Sequence, residues 1–383
     1  MQSIHPNASA FLRAASSPRI KVSAATLAEL AAQIVNWDDV IRGASQHGIL
    51  PLLYARLVEI SDSIPSDVLE HARREFEHNA FHCITNAEEL LQVLSAFEAA
   101  RIDAMPFKGV VLGAHAYGDM TLRKAGDLDL LIRFRDLQRA TEILKQRGYH
   151  LKTKTLADGS PEAEDYFEFH FERPADGMVL ELRWRLELTQ PRYRHELGLE
   201  WVWPRRTIVK LAGAQVPDLD PVSSLLILCM HGTKHAWSRW MWICDVAMLI
   251  ENEPALNWDL ALREAKRVGL HRCLALGVLL ACRGAGATVP QHVLERLGND
   301  RDMSRLSDFL FKNVLEHPGA IPEGRLPYNI RILGFRDRFQ SLLSPSILKP
   351  NELDRAAIRL PRLLTPLYYL VRPIRVLLDR SAR

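Results

Sequence analysis

The apolar positions of this chain change their spacing twice along its length. Up to about residue 101 they recur at helical intervals. Leu27, Leu30, Ala31 and Ile34 share one stripe, and Phe76, Ala80, Cys83, Ala87, Leu90, Leu91, Leu94 and Phe97 mark one long amphipathic helix over 67–100. From about 102 to 215 the pattern shortens. Met105–Phe107 reads as a brief strand running into Lys108-Gly109, followed by a helical stretch through Tyr117, and Leu128–Ile132 reads as a second strand. Asp136 is placed to N-cap a helix carrying Leu137, Ala140, Ile143 and Leu144 on one face, with Gly148 as its stop. Tyr166–Phe171 and Met178–Leu186 then alternate at strand period across Ala175-Asp176-Gly177, a hairpin turn. After Asp220-Pro221, an N-cap with a first-turn proline, helical spacing returns. This order predicts an α+β fold: a small mixed-sheet core over 102–215, an N-terminal helical segment over 1–101, a C-terminal helical domain over 216–345 and a tail over 346–383.

The chemistry concentrates in Gly126-Asp127-Leu128-Asp129-Leu130-Leu131-Ile132. Strand side chains alternate, so Asp127 and Asp129 share one face while Leu128 and Leu130 take the other. Two carboxylates that close repel one another unless a cation lies between them, and Mg²⁺ is the usual partner of such hard oxygen ligands. A solvated strand edge is the plain alternative. In Val179-Leu180-Glu181-Leu182-Arg183-Trp184 the same alternation puts Glu181 on a polar face with Arg183. On a strand beside the acidic one, Glu181 would add a third carboxylate.

The ordered set Lys108-Gly109, Tyr117, Arg123, Asp127 to Ile132, Gly148-Tyr149 and Leu180 to Trp184 resembles the uncharacterised nucleotidyltransferase family of the DNA polymerase beta-like superfamily. The similarity runs from about Asp38 to Glu251. It implies transfer of a nucleoside monophosphate from a nucleoside triphosphate such as ATP to an acceptor, with release of pyrophosphate. By the same resemblance Asp127, Asp129 and Glu181 would be the catalytic carboxylates and the ligands of two Mg²⁺ (or Mn²⁺) ions, with Lys108, Gly109 and Arg123 on the phosphates. Two positions depart from the family's pattern: Val110 follows Gly109 where a serine is expected, and Arg183 stands where histidine is expected. His231 and His235, four residues apart on one helical face, suit a substrate-lining role, and Trp237, Trp240 and Trp242 read as core. The resemblance leaves the acceptor open: a small hydroxylated molecule, a peptide or protein side chain, or an RNA end. A binding protein that keeps the fold without efficient turnover, and an RNA-modifying toxin-like transferase, are the alternatives.

Composition narrows this further. A net charge of +3 over 383 residues argues against a surface that coats nucleic acid. Five cysteines without CxxC or zinc spacing read as reduced thiols. The sequence shows neither a signal-peptide h-region nor a membrane-length apolar run, so a cytoplasmic protein is expected. The tail mixes apolar residues with arginines, but Pro361, Pro366 and Pro373 interrupt it, so membrane contact there is not favoured.

Overall fold

The computed structural model describes residues 3–18, 22–124, 126–153, 167–186, 197–316 and 367–369. The chain divides into two compact units, Met1–Ile321 and Pro322–Arg383, and the architecture below is that of the first. The expected amphipathic tail lies outside the described residues except for 367–369.

Helices open the chain: α1 (Pro6–Ser16), α2 (Ala24–Ala31), α3 (Trp37–His47), α4 (Leu50–Leu57) and the 34-residue α5 (Ser66–Ala99). The stripe that α5 buries includes Cys83, Ala87, Leu90, Val93 and Phe97, and also the polar Asn79, Asn86 and Glu89. Phe81 and Ile84 stay on its exposed side. No described helix is both long enough and apolar enough to cross a membrane.

The middle of the chain forms β1 (Ala104–Pro106), α6 (Gly109–Ala116), β2 (Leu128–Ile132), α7 (Leu137–Gln146), β3 (His150–Leu151), β4 (Glu168–Arg173) and β5 (Met178–Arg183). The strands make one mixed sheet in the order β1-β2-β5-β4-β3. Antiparallel pairing joins β1 to β2 and β4 to β5, the latter through the expected turn with Gly177 at φ +72°. Between them β2 and β5 run parallel, with Leu128 opposite Leu180 and Asp129 opposite Glu181. Leu128, Leu130, Leu180, Leu182, Phe169 and Phe171 join the α5 stripe in a single core cluster. Every residue of β2 is buried, Asp129 included, which rules out a solvated edge for that carboxylate. Asp136 does precede α7, but its carboxylate pairs with Arg139 and makes no capping bond to the backbone.

Glu89 ties α5 to the sheet: Arg147 at the end of α7 donates to its Oε1 at 2.9 Å and Arg173 at the end of β4 to its Oε2 at 2.8 Å. The second half comprises α8 (Leu199–Val202), the hairpin β6 (Thr207–Leu211) and β7 (Ala214–Asp218), then α9 (Pro221–Lys234), α10 (Trp240–Asn252), α11 (Trp258–Arg267), α12 (His271–Ala285), α13 (Gln291–Gly298) and α14 (Arg301–Asn313). Asp220 caps α9 through the N–H groups of Val222 and Ser223, as its sequence predicts. Trp237 and Trp240 are fully enclosed, so they serve packing. The five cysteines are free thiols.

His115 on α6 joins the two halves by contacting Asp218 of β7 at 2.5 Å and Glu253 beyond α10 at 2.7 Å. The bond to Asp218 raises its pKa from 6.5 to about 9, against the opposing effect of burial. A group whose pKa is higher in the folded state stabilises the fold fully below its unfolded value and loses that contribution as pH rises through the folded one. The unfolding temperature is therefore expected to fall between pH 7 and pH 10 by more in the wild type than in His115→Gln. Equal slopes in thermal melts across that window would remove the ion pairs from the stability of the fold.

Candidate active site

The site begins where β1 turns into α6. Phe107 N–H donates to the carbonyl of Asp129 at 3.2 Å, which fixes the turn beside the acidic strand. Lys108 then takes φ 63°, ψ −148°, a region almost reserved for glycine, and Gly109 follows at φ 50°. Backbone of this kind costs about 1–3 kcal/mol and persists only where its surroundings hold it. A Cβ on Gly109 would meet only the Asp127 carbonyl, at 3.7 Å, so the turn lies open against the acidic strand. The first N–H groups of α6 are the kind of anion site that helix N-termini supply.

The parallel register of β2 and β5 sets the carboxylates. Asp127, Asp129 and Glu181 each offer an oxygen within 4.8 Å of the others. Lys108 Nζ lies 3.0 Å from Asp129 Oδ2 and Arg183 Nε 3.3 Å from Asp129 Oδ1. The same guanidinium pairs with Glu181 and reaches Glu168 Oε2 at 2.5 Å, while His170 stands 3.1 Å from Glu168 and 3.4 Å from Glu181. Burial pushes the Asp129 carboxyl up, yet Lys108 and Arg183 outweigh it and hold the pKa below the usual carboxylate range. Burial raises Glu181 to about 7; Arg183 opposes this and the charges of Asp129 and Asp127 add to it. His231 is pushed well below its ordinary value by burial and then by the nearby charge of Lys108, so it faces the cluster as a neutral imidazole. Lys234 is lowered by burial and by Arg183, and its ammonium lies over the Phe167 ring.

The donor set fits a divalent metal. Three hard oxygens converge, and Asp129 Oδ1 is buried without a hydrogen bond, as is the Arg183 Nε facing it. Their contact is electrostatic and misaligned, which leaves an oxygen lone pair available for coordination.

Other residues hold these groups in place. Asn79 of α5 donates to the carbonyls of Thr121 and Arg123 at 2.9 and 3.3 Å, and Asn86 donates to that of Gly126 at 2.7 Å. The segment entering Asp127 is thus anchored to the long helix. Arg123, expected on the phosphates, is instead buried against Asp245 of α10 through Nε at 2.8 Å and a second nitrogen at 2.9 Å, and Tyr117 donates to the same carboxylate at 2.7 Å. Its remaining nitrogen lies 3.5 Å from the Gly109 carbonyl, so Arg123 braces the turn from behind. The reason is burial: a guanidinium withdrawn from solvent needs a carboxylate, and α10 presents one. The His235 ring meets His231 edge-on at 4.7 Å and lies tilted against Trp242 at 5.1 Å. Glu168, His170 and Lys234 did not stand out in the sequence. The hairpin register pairing Glu168 with Arg183 and His170 with Glu181 carries the signal for the first two.

Asp127 also lines a cavity of about 830 Å³, bounded by Leu50, Pro51, His78, Phe81 and Val179 among others. Its charged lining is Glu75, Asp127 and Asp176 against Lys124 among the described residues.

The Arg123–Asp245 pair generates a prediction. Breaking a buried pair by neutralising one partner costs about 3–5 kcal/mol because the other charge stays buried. Asp245→Asn should therefore lower the denaturant midpoint severely, even with no ligand present. A midpoint unchanged from wild type would free Arg123 for direct substrate contact.

No curated protein matches the chain. A family model described as uncharacterised nucleotidyltransferase matches residues 33–285, which spans the turn, the acidic strand, Glu181 and the helices carrying His231 and Asp245. With well over half of the chain covered, this protein belongs to the uncharacterised nucleotidyltransferase family.

Proposed function

We propose that the protein moves a nucleoside monophosphate from a nucleoside triphosphate to an acceptor and releases pyrophosphate. The observation that carries this reading is the pairing of Asp129 with Glu181. It gathers three carboxylates from two separate segments beside a strained, open strand-to-helix turn. Asp127, Asp129 and Glu181 would hold Mg²⁺ or Mn²⁺, which neutralises developing charge on the phosphates when bound.

The protein's own groups divide the remaining work. Lys108 and the backbone of Gly109 bind the β- and γ-phosphates, with the α6 N-terminus favouring their charge. Lys234 and neutral His231 line the same side, and His235 extends that wall. Glu181 is positioned to receive the proton of an acceptor hydroxyl. The acceptor enters through the cavity beside Asp127, whose apolar walls and excess of carboxylates suit an apolar or aromatic body over a phosphodiester chain. ATP is one candidate donor among the nucleoside triphosphates.

Incubation with each α-labelled triphosphate and Mg²⁺ or Mn²⁺, with cell extract as acceptor source, tests the reading. Label transfer with pyrophosphate release supports it, and absence of both for every nucleotide sinks it. Asp127→Asn and Asp129→Asn should each reduce turnover at least about a hundredfold, the scale of losing an electrostatic contributor to the transition state. Circular dichroism should show both variants folded, with Asp129→Asn melting lower because Lys108 and Arg183 lose the buried carboxylate they face. Transfer at the wild-type rate by both would end the metal assignment.

Gly109→Ala tests the turn. The added methyl meets no atom closer than 3.7 Å, so its stability cost is confined to the positive φ, about 1–2 kcal/mol. Triphosphate affinity should fall by a larger free energy, because the methyl stands where phosphate approaches the backbone. Affinity that is unchanged while the unfolding midpoint drops would take Gly109 out of the binding site.

A further inference from the structure

Both oxygens of Asp129 face side-chain cations. Lys108 Nζ lies 3.0 Å from Oδ2, and Arg183 Nε 3.3 Å from Oδ1. Arg183 also pairs with Glu181 and with Glu168, so one guanidinium, 12% exposed, stands among three carboxylates of three different strands. Two of those carboxylates belong to the group of three that fits a metal. Asp127, the third member of that group, has no cation partner among the described residues. The cluster is thus charge-compensated from within at Asp129 and Glu181 and open at Asp127.

We propose that Arg183, with Lys108, is the resident cation of the acidic cluster: it holds Asp129 and Glu181 in place before substrate arrives, and free divalent metal must compete with it. The inference rests on the nucleotidyltransferase reading and adds an order of events to it. Metal arriving alone displaces a cation already paired, so it binds weakly. Lys108 would exchange Asp129 for the anionic oxygens of a triphosphate, which would free the carboxylate to hold a metal that comes with the nucleotide. Lys108 is suited to this exchange because its strained backbone sits at the first residue of the phosphate turn, within reach of both sites. Arg183 is a positioning residue here, since it acts through the carboxylates.

A purely structural Arg183, bracing the β4–β5 hairpin, makes a different prediction. Its loss would destabilise the fold in a way that metal does not repair. In the resident-cation case metal replaces the missing charge.

The experiment uses the full-length chain, with Mn²⁺ as probe in spin-resonance titrations and thermal melts. Wild type is expected to bind Mn²⁺ weakly, with an unfolding temperature almost independent of it, and to bind it more tightly when a non-hydrolysable nucleotide analogue is added. Arg183→Gln should melt lower without metal, recover on adding millimolar Mn²⁺, and bind free Mn²⁺ at least about tenfold more tightly, the scale of removing a like charge a few ångströms away. Lys108→Gln should also tighten free Mn²⁺ binding but lose most of the enhancement by nucleotide. A melting deficit in Arg183→Gln that Mn²⁺ leaves untouched, together with wild-type Mn²⁺ affinity, overturns the proposal. Should Arg183→Gln not fold, Arg183→Lys, which keeps the charge but loses the fork, is expected to show an intermediate gain in affinity, and wild-type affinity there overturns it equally. Mn²⁺ binding that survives Asp127→Asn and Asp129→Asn unchanged would instead remove the metal site and the reading beneath it.

Discussion

A carboxylate that must remain charged while withdrawn from water constrains more of this structure than any other group. Asp129 is the second residue of a strand buried along its whole length, where desolvation pushes its carboxyl pKa up. Cations must therefore be delivered to it, and each comes from a different element. Lys108 arrives from the turn after β1, which explains why that residue accepts a backbone conformation otherwise left to glycine. Arg183 arrives from β5, which requires the parallel register with β2 and hence the hairpin that inserts β5 at the centre of the sheet. Glu168 on β4 then balances the guanidinium, and His170 on the same strand pairs with Glu168. The sheet order and the site's electrostatics are two views of one requirement.

A second buried pair couples this arrangement to the C-terminal helices. Arg123, just ahead of the acidic strand, meets Asp245 of α10, and Tyr117 at the end of α6 closes on the same carboxylate. The pair contributes little net energy relative to well-packed apolar residues. What it supplies is position: the turn, the acidic strand and α10 share one network, and α10 carries Trp242 against His231 and His235. The matched family region extends through α12, consistent with a site that needs those helices as one of its walls.

Strands β1, β2, β4 and β5, the hairpin turn and the long helix were legible in the sequence because each rests on local periodicity, whereas the two-residue β3 and the β6–β7 hairpin were not read as strands. Leu128–Ile132 alternates with Asp129, Met178–Arg183 alternates with Glu181, and Gly177 marks the turn. Pairing partners depend on contacts distant in sequence. Nothing local in Asp245 says that it faces Arg123, and nothing in Asn79 or Asn86 distinguishes a buried anchor from a solvated helix face, since both interrupt an apolar stripe. Phe76 was expected inward and is only partly buried, its ring 4.9 Å from that of Tyr54. The four-residue spacing of His231 and His235 was readable, whereas the lowered pKa of His231 follows first from burial and then from cations that come from elsewhere in the fold.

The two sides of the acidic cluster differ in a way that bears on the chemistry proposed for it. Lys108, Arg183, Lys234 and the α6 N-terminus gather on the side of Asp129 and Glu181, whereas the cavity beyond Asp127 carries three carboxylates against one lysine among its described lining. Displacement at phosphorus places the attacking and leaving oxygens roughly in line, on opposite sides of the transferred group. On the proposed reading the leaving pyrophosphate, with its high negative charge, belongs where the cations are, and the attacking acceptor belongs away from them, toward Asp127. A phosphodiester acceptor would bring its own charges into the side least able to balance them. An acceptor with a hydroxyl on an apolar body meets no such penalty, and the exposed Phe81 beside His78 and His82 offers it a surface to pack against. On the proposed reading, the charge balance of the described lining favours an acceptor that brings no phosphates of its own.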